Sequence, residues 1–109
     1  MRTFILYGSE RTDIDGLAND LCVALGVTLD ARDSSYIGAY YSLESAKFSC
    51  LIEPNLNSPD EVEEEDRYQE PDYRQYDLLV RLTLSPGAEP VEKMIAQVGG
   101  LKLLTKDTA

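Results

Sequence analysis

The sequence predicts an α+β domain: a two-layer α/β sandwich in which a mostly antiparallel sheet of about five strands carries two helices on one face. Three observations predict it. Short runs of β-branched and aromatic residues, bounded by glycine, proline, serine or asparagine, recur along the chain as strands do. Two segments repeat their apolar residues at helical spacing, and each presents one apolar stripe. The order is strand, helix, uncertain strand, three strands, helix, strand, so both stripes find room on one side of a single sheet. At 109 residues the chain fits one domain, 1–109, that buries a core without staples, with a long acidic insert at about 53–77.

Residues 3–7 (TFILY) are apolar, aromatic and β-branched and end at Gly8, which argues a buried strand. Thr12, three residues before Asp15, offers a capping pair at a helix start. Ile14, Leu17, Ala18, Leu21, Cys22 and Leu25 then share one helical face, and Gly26 stands where a left-handed cap ends a helix. Gly16 weakens this helix slightly relative to alanine. Residues 27–33 (VTLDARD) read as a short strand or as an extended connection. Residues 36–43 (YIGAYYSL) are rich in strand formers, with Gly38 permitting a bulge or a close approach. A turn at Glu44 and Ser45 leads into 46–52 (AKFSCLI), where Phe48, Cys50 and Ile52 alternate with Lys47, Ser49 and Leu51; the two strands form an antiparallel hairpin.

Pro54, Asn55, Asn57, Ser58 and Pro59 stop regular structure. Residues 60–68 (DEVEEEDRY) suit one or two helical turns after Pro59, and Pro71 bars a longer helix. Residues 76–84 (YDLLVRLTL) make the best central strand, with Leu78, Val80, Leu82 and Leu84 on one face and Arg81 and Thr83 on the other. Pro90 opens the second helix, whose Val91, Met94, Ile95 and Val98 repeat up to Gly99 and Gly100. Residues 101–105 (LKLLT) are the last strand.

The chain has 20 acidic residues and a net charge of −10. Ten of those acids fall within residues 53–77 (Glu53, Asp60, Glu61, Glu63, Glu64, Glu65, Asp66, Glu70, Asp72 and Asp77) against only Arg67 and Arg74. Charge this concentrated draws in a positively charged protein and repels nucleic acid and anionic membrane. Tyr68, Tyr73 and Tyr76 interleave with it and supply half-apolar contact area of the kind protein interfaces use. The bland alternative is a solubilising loop, but tyrosines and prolines are poor choices for solvation alone. The candidate partner-binding residues are therefore Asp60, Glu61, Glu63, Glu64, Glu65, Asp66, Tyr68, Glu70, Asp72, Tyr73 and Tyr76. Tyr40 joins them: Tyr36 and Tyr40 share one strand face and Tyr41 the other, one side being core and the other half exposed, and exposed tyrosines beside the acidic stretch would make an aromatic patch ringed by charge; ordinary sheet tyrosines are the equal alternative.

Histidine is absent, which removes the commonest general base and a common metal ligand. The acidic run lacks the glycine and the alternate ligand spacing of an EF-hand loop, so no dedicated metal site is expected. Paired carboxylates run acid/base chemistry only when one is desolvated, and an exposed loop does the reverse. Cys22 and Cys50 read as small core hydrophobes of a reducing cytosol, with a disulfide between them left open. Gly8 and Gly16 are too far apart for a phosphate-cradling loop. No catalytic residue and no cofactor is expected. The first residues lack a signal-peptide apolar region, and no apolar run approaches the roughly 18 residues of a membrane span, so the expectation is a soluble, cytoplasmic protein, monomer favoured.

At 34–42 (SSYIGAYYS) and 70–82 (EPDYRQYDLLVRL) the chain resembles bacterial immunity proteins of contact-dependent growth inhibition and polymorphic-toxin systems. The resemblance lies in Tyr36, Gly38, Tyr40 and Tyr41, followed by Glu70-Pro71 leading into Leu78-Leu79, over roughly the middle half of the chain. Ala39, where such proteins often carry a second glycine or an acid, and the longer acidic insert depart from the pattern and point to a different subfamily with a different toxin. The resemblance implies a non-enzymatic inhibitor that binds one cognate toxin, commonly a nuclease (DNase, RNase or tRNase), by covering its active-site cleft. An acidic adaptor or nucleic-acid mimic that binds a host DNA-binding protein is the second reading, and a small ligand-binding regulatory domain or enzyme the third.

Overall fold

A computed structural model describes residues 2–34, 38–55 and 70–108. The N-terminal run becomes β1 (Thr3–Ser9), which lies inside the sheet. Helix α1 (Ile14–Leu25) carries the chain across to the far edge. From there β2 (Asp30–Ser34), β3 (Gly38–Glu44), β4 (Phe48–Pro54) and β5 (Leu78–Leu84) return strand by strand. Helix α2 (Glu89–Ile95) then passes over β1 to β6 (Leu101–Thr108). The order across the sheet is β2-β3-β4-β5-β1-β6, and every neighbouring pair is antiparallel. β5, α2 and β6 thus make a strand-helix-strand unit split by β1. The fold is the expected α+β sandwich, with six strands rather than about five. The sixth is the segment at 27–33 that the sequence left open, which pairs with β3 over Asp30–Ser34.

The core follows from the two periodicities. In β5, Leu78, Val80, Leu82 and Leu84 are all buried, and they share a cluster with Ile5 and Tyr7 of β1 and Cys50 and Ile52 of β4. Over this face α1 lays Leu17, Ala18 and Leu21, and the α2 region adds Ala88, Ile95 and Val98. Gly26 ends α1 at φ 66°, a left-handed value that costs glycine nothing, and the Val27 N–H closes the turn on the Cys22 carbonyl at 3.1 Å.

Several boundaries move for identifiable reasons. Helix α1 is capped by Asp13, not by Thr12, and Asp13 makes no side-chain cap bond because its carboxylate is taken by the Arg11 guanidinium at 3.1 Å. β5 starts at Leu78 rather than Tyr76, since Tyr76 still belongs to a turn and donates its N–H to the Tyr73 carbonyl. Pro54 does not break β4 but closes it, at a strand end where its missing N–H is tolerated. β6 runs on to Thr108 because it pairs with the whole of β1, with a bulge opposite Leu6 and Tyr7. Met94 is 40% exposed: α2 ends at Ile95, and Ile95 and Val98 fill the interior. Cys22 and Cys50 are both free thiols. The readings placed on Tyr36 and on 60–68 lie outside the described residues.

Two buried groups set an alkaline limit on stability. Burial, then the neighbouring Glu92 and Cys50, push the Tyr7 phenol from 10.0 up to about 12. Burial and Cys22 push the Cys50 thiol from 9.0 up to about 12. The fold holds both protons where the unfolded chain would release them, so their contribution is complete below pH 9 and is lost as pH rises to about 12. Urea unfolding across this range should show stability falling from pH 9 upward, and Tyr7→Phe should flatten the part of the fall above pH 10.

Candidate interaction surface

The helices cover one face of the sheet, and the acidic insert is rooted on the other. Alternation along the strands puts Glu53 of β4, Leu79 and Arg81 of β5, and Phe4, Leu6 and Gly8 of β1 on this second face. The register pairs Leu51 with Arg81 and Glu53 with Leu79, so Glu53 and Arg81 sit diagonally on adjacent strands. Arg81 Nε donates to Glu53 Oε1 at 2.8 Å, and a second guanidinium nitrogen donates to Glu70 Oε1 at 2.9 Å. Glu53, counted among the insert's acids from the sequence, is thereby buried at 5% exposure. Burial alone lowers the Arg81 pKa, but the hydrogen bonds to Glu53 and Glu70 outweigh it and hold the guanidinium raised and charged.

Asn55 completes the root. Its side chain is wholly buried, and its amide nitrogen donates to the Tyr73 carbonyl at 2.9 Å and the Tyr76 carbonyl at 3.0 Å. Its Oδ1 accepts the Glu70 N–H at 2.9 Å, and its own N–H reaches the Asp77 carbonyl at 2.8 Å. The donors and the acceptor of the amide are all engaged, as a buried amide requires. Residues 55 and 70 are therefore held together, and the 56–69 segment leaves and returns through one closed neck.

Beyond the neck, a short 3-10 turn (Pro71–Tyr73) brings the chain back over the sheet. Tyr76 is packed at 8% exposure, with Leu79 and Leu6 also buried on this side and outside the core beneath the helices. The Tyr76 ring lies so close to Gly8 that a Cβ there would come within 2.6 Å of Tyr76 Cγ and 2.9 Å of Leu104 Cδ1. Only glycine allows this approach.

The sequence-predicted residues separate into three groups. Asp60, Glu61, Glu63, Glu64, Glu65, Asp66 and Tyr68 lie outside the described residues. Asp72 is exposed, Tyr73 is half-buried, and Tyr40 is half-buried on the same sheet face as Glu53, one step past the last β3–β4 pair, so the structure brings these three to the neck's surroundings. Glu70, its side chain 31% exposed, is tied to Arg81, and Tyr76 packs on Gly8 at 8% exposure, so both hold the insert's root. Tyr41 points the other way, its hydroxyl donating to Asp15 of α1. Asn55, Arg81 and the structural role of Glu53 were not predicted. The available signal was a lone arginine inside the apolar run of 78–84, which demands a carboxylate partner.

Among the described residues no three Cys, Asp or Glu side chains group as metal ligands, and no helix is long and apolar enough to cross a membrane. Arg81→Met should strand the Glu53 carboxylate and cost about 1–3 kcal/mol in urea unfolding, less than a fully buried pair because the Arg81 side chain keeps 38% of its surface. Adding Glu53→Gln to that variant should recover most of the loss; a double variant as unstable as the single one contradicts the pairing. No protein-family model and no curated protein matches this chain.

Proposed function

We propose that the protein is an immunity protein that binds a cognate toxin domain, a basic nuclease in particular, and neutralises it by covering its active-site cleft. The observation that carries the reading is the union of charge and rooting: most of a net charge of −10 lies on one insert, and that insert is tied at a closed neck to the rigid sheet. A nuclease cleft must be basic to hold phosphates, and a rooted acidic segment competes for the same cleft in place of the nucleic acid. Rooting supports this because the ends of the segment, fixed at Asn55 and Glu70, have little conformational freedom left to lose on binding. Opposite fields also speed association, which suits an inhibitor that must reach its target before damage is done. The resemblance at 34–42 and 70–82 points the same way. The inhibitor acts by occupancy in the cytoplasm and contributes no chemistry of its own.

The test is growth protection. The reading predicts a toxin domain encoded beside this chain, and cells expressing that domain should survive when the chain is co-expressed. Combined Glu63→Lys, Glu64→Lys and Glu65→Lys should abolish survival while circular dichroism and thermal unfolding stay those of the native protein. Raising ionic strength from about 0.05 to about 0.5 M should slow association more than tenfold, since exposed charges are screened within the shortened Debye length. Survival untouched by the triple reversal rejects the reading. Recovery of a DNA-binding host protein in place of a toxin would favour the adaptor or nucleic-acid mimic.

A further inference from the structure

We infer that the groove beside the neck receives an arginine side chain of the basic partner, stacked on Phe4 and paired with Asp107. This rests on the acidic-binder reading above and adds the place of contact. Phe4 belongs to an interior strand, with β5 on one side and β6 on the other, yet it is 44% exposed. The packed patch of Tyr76, Leu79 and Leu6 ends beside it, and the cross-strand neighbours of Phe4 are Thr83 and Asp107. Here a groove of about 300 Å³ opens, lined by Phe4, Leu6, Glu70, Arg81, Thr105 and Asp107 among others.

The charge of that groove selects a cation. Arg81 is already engaged by Glu53 and Glu70, and Asp107 is exposed with no ion-pair partner among the described residues. Two carboxylates, Glu70 and Asp107, thus line the groove against one guanidinium, which the buried Glu53 also engages from outside the groove. An aromatic face beside a carboxylate distinguishes further between cations: a planar guanidinium stacks on the ring while its fork meets the carboxylate, whereas an ammonium is a compact, strongly hydrated charge. Glu70 belongs to both neck and groove, so a protein drawn to the acidic insert meets this groove at the insert's root.

The test titrates the full chain with tetra-arginine amide and with tetra-lysine amide in low-salt buffer, followed by two-dimensional amide NMR. Shifts should centre on Phe4, Thr83, Thr105 and Asp107, with the arginine peptide bound about threefold more tightly. Phe4→Leu keeps apolar bulk but removes the ring, and it should bring the two peptides level. Asp107→Asn should weaken both by about threefold. If the Glu63, Glu64 and Glu65 reversal abolishes binding while Phe4→Leu and Asp107→Asn change nothing, the groove is overturned and the acidic-binder reading stands. If neither peptide binds, both are overturned. Shifts confined to β2, or a concentration-dependent rise in mass that places a second copy on the groove, also overturn the assignment.

Discussion

The ion-paired chain Glu53–Arg81–Glu70, locked by Asn55, is the constraint on which the rest of this structure depends. A carboxylate buried under a sheet is costly unless a cation meets it, and a cation in a central strand is costly for the same reason. Glu53 and Arg81 satisfy each other across β4 and β5, and the remaining guanidinium donor captures Glu70 from the far end of the insert. Asn55 then ties the same stretch through the Tyr73 and Tyr76 carbonyls and the Glu70 N–H. Because the entropy of closing a loop grows only slowly with its length, a long insert pinned at such a neck burdens the fold little.

The same arrangement offsets part of the charge of a domain that carries −10 in all. Self-repulsion opposes compactness when charge is spread through a structure. Six of the acids fall within residues 60–66 of the sequence, and at the root of the insert Glu53 and Glu70 share the one guanidinium of Arg81, which offsets part of their charge. Field and geometry are divided between different residues. In the proposed reading the acids at 60–66 would supply attraction, while Glu53, Asn55, Glu70 and Tyr76 hold the root of the insert.

Much of the fold was legible because apolar periodicity records burial directly. Leu78, Val80, Leu82 and Leu84 alternate in the sequence and line one buried face, and Leu17, Ala18 and Leu21 repeat helically and pack over it. β2 was ambiguous because DARDS has no apolar alternation; it is a strand because β3 offers it an edge. The root of the insert was illegible for a different reason. Glu53 and Arg81 show their charges in the sequence, but only the register places them on one face of adjacent strands. Whether Tyr76 faces solvent or core is likewise decided by Gly8, distant in sequence and brought beneath its ring by β1. Counting tyrosines in an acidic stretch identifies aromatic area without saying which way it points.

Amide hydrogen exchange at Glu70 measures the neck most directly, because that N–H donates to the buried Asn55 side chain and sits at the acidic segment's point of return. A closed neck predicts protection of the Glu70 amide that approaches the protection of the β4 and β5 core amides, lost together with theirs on global unfolding. Exchange at the rate of an unstructured peptide, with β4 and β5 still protected, would show that the insert hangs free of the sheet and would contradict the account.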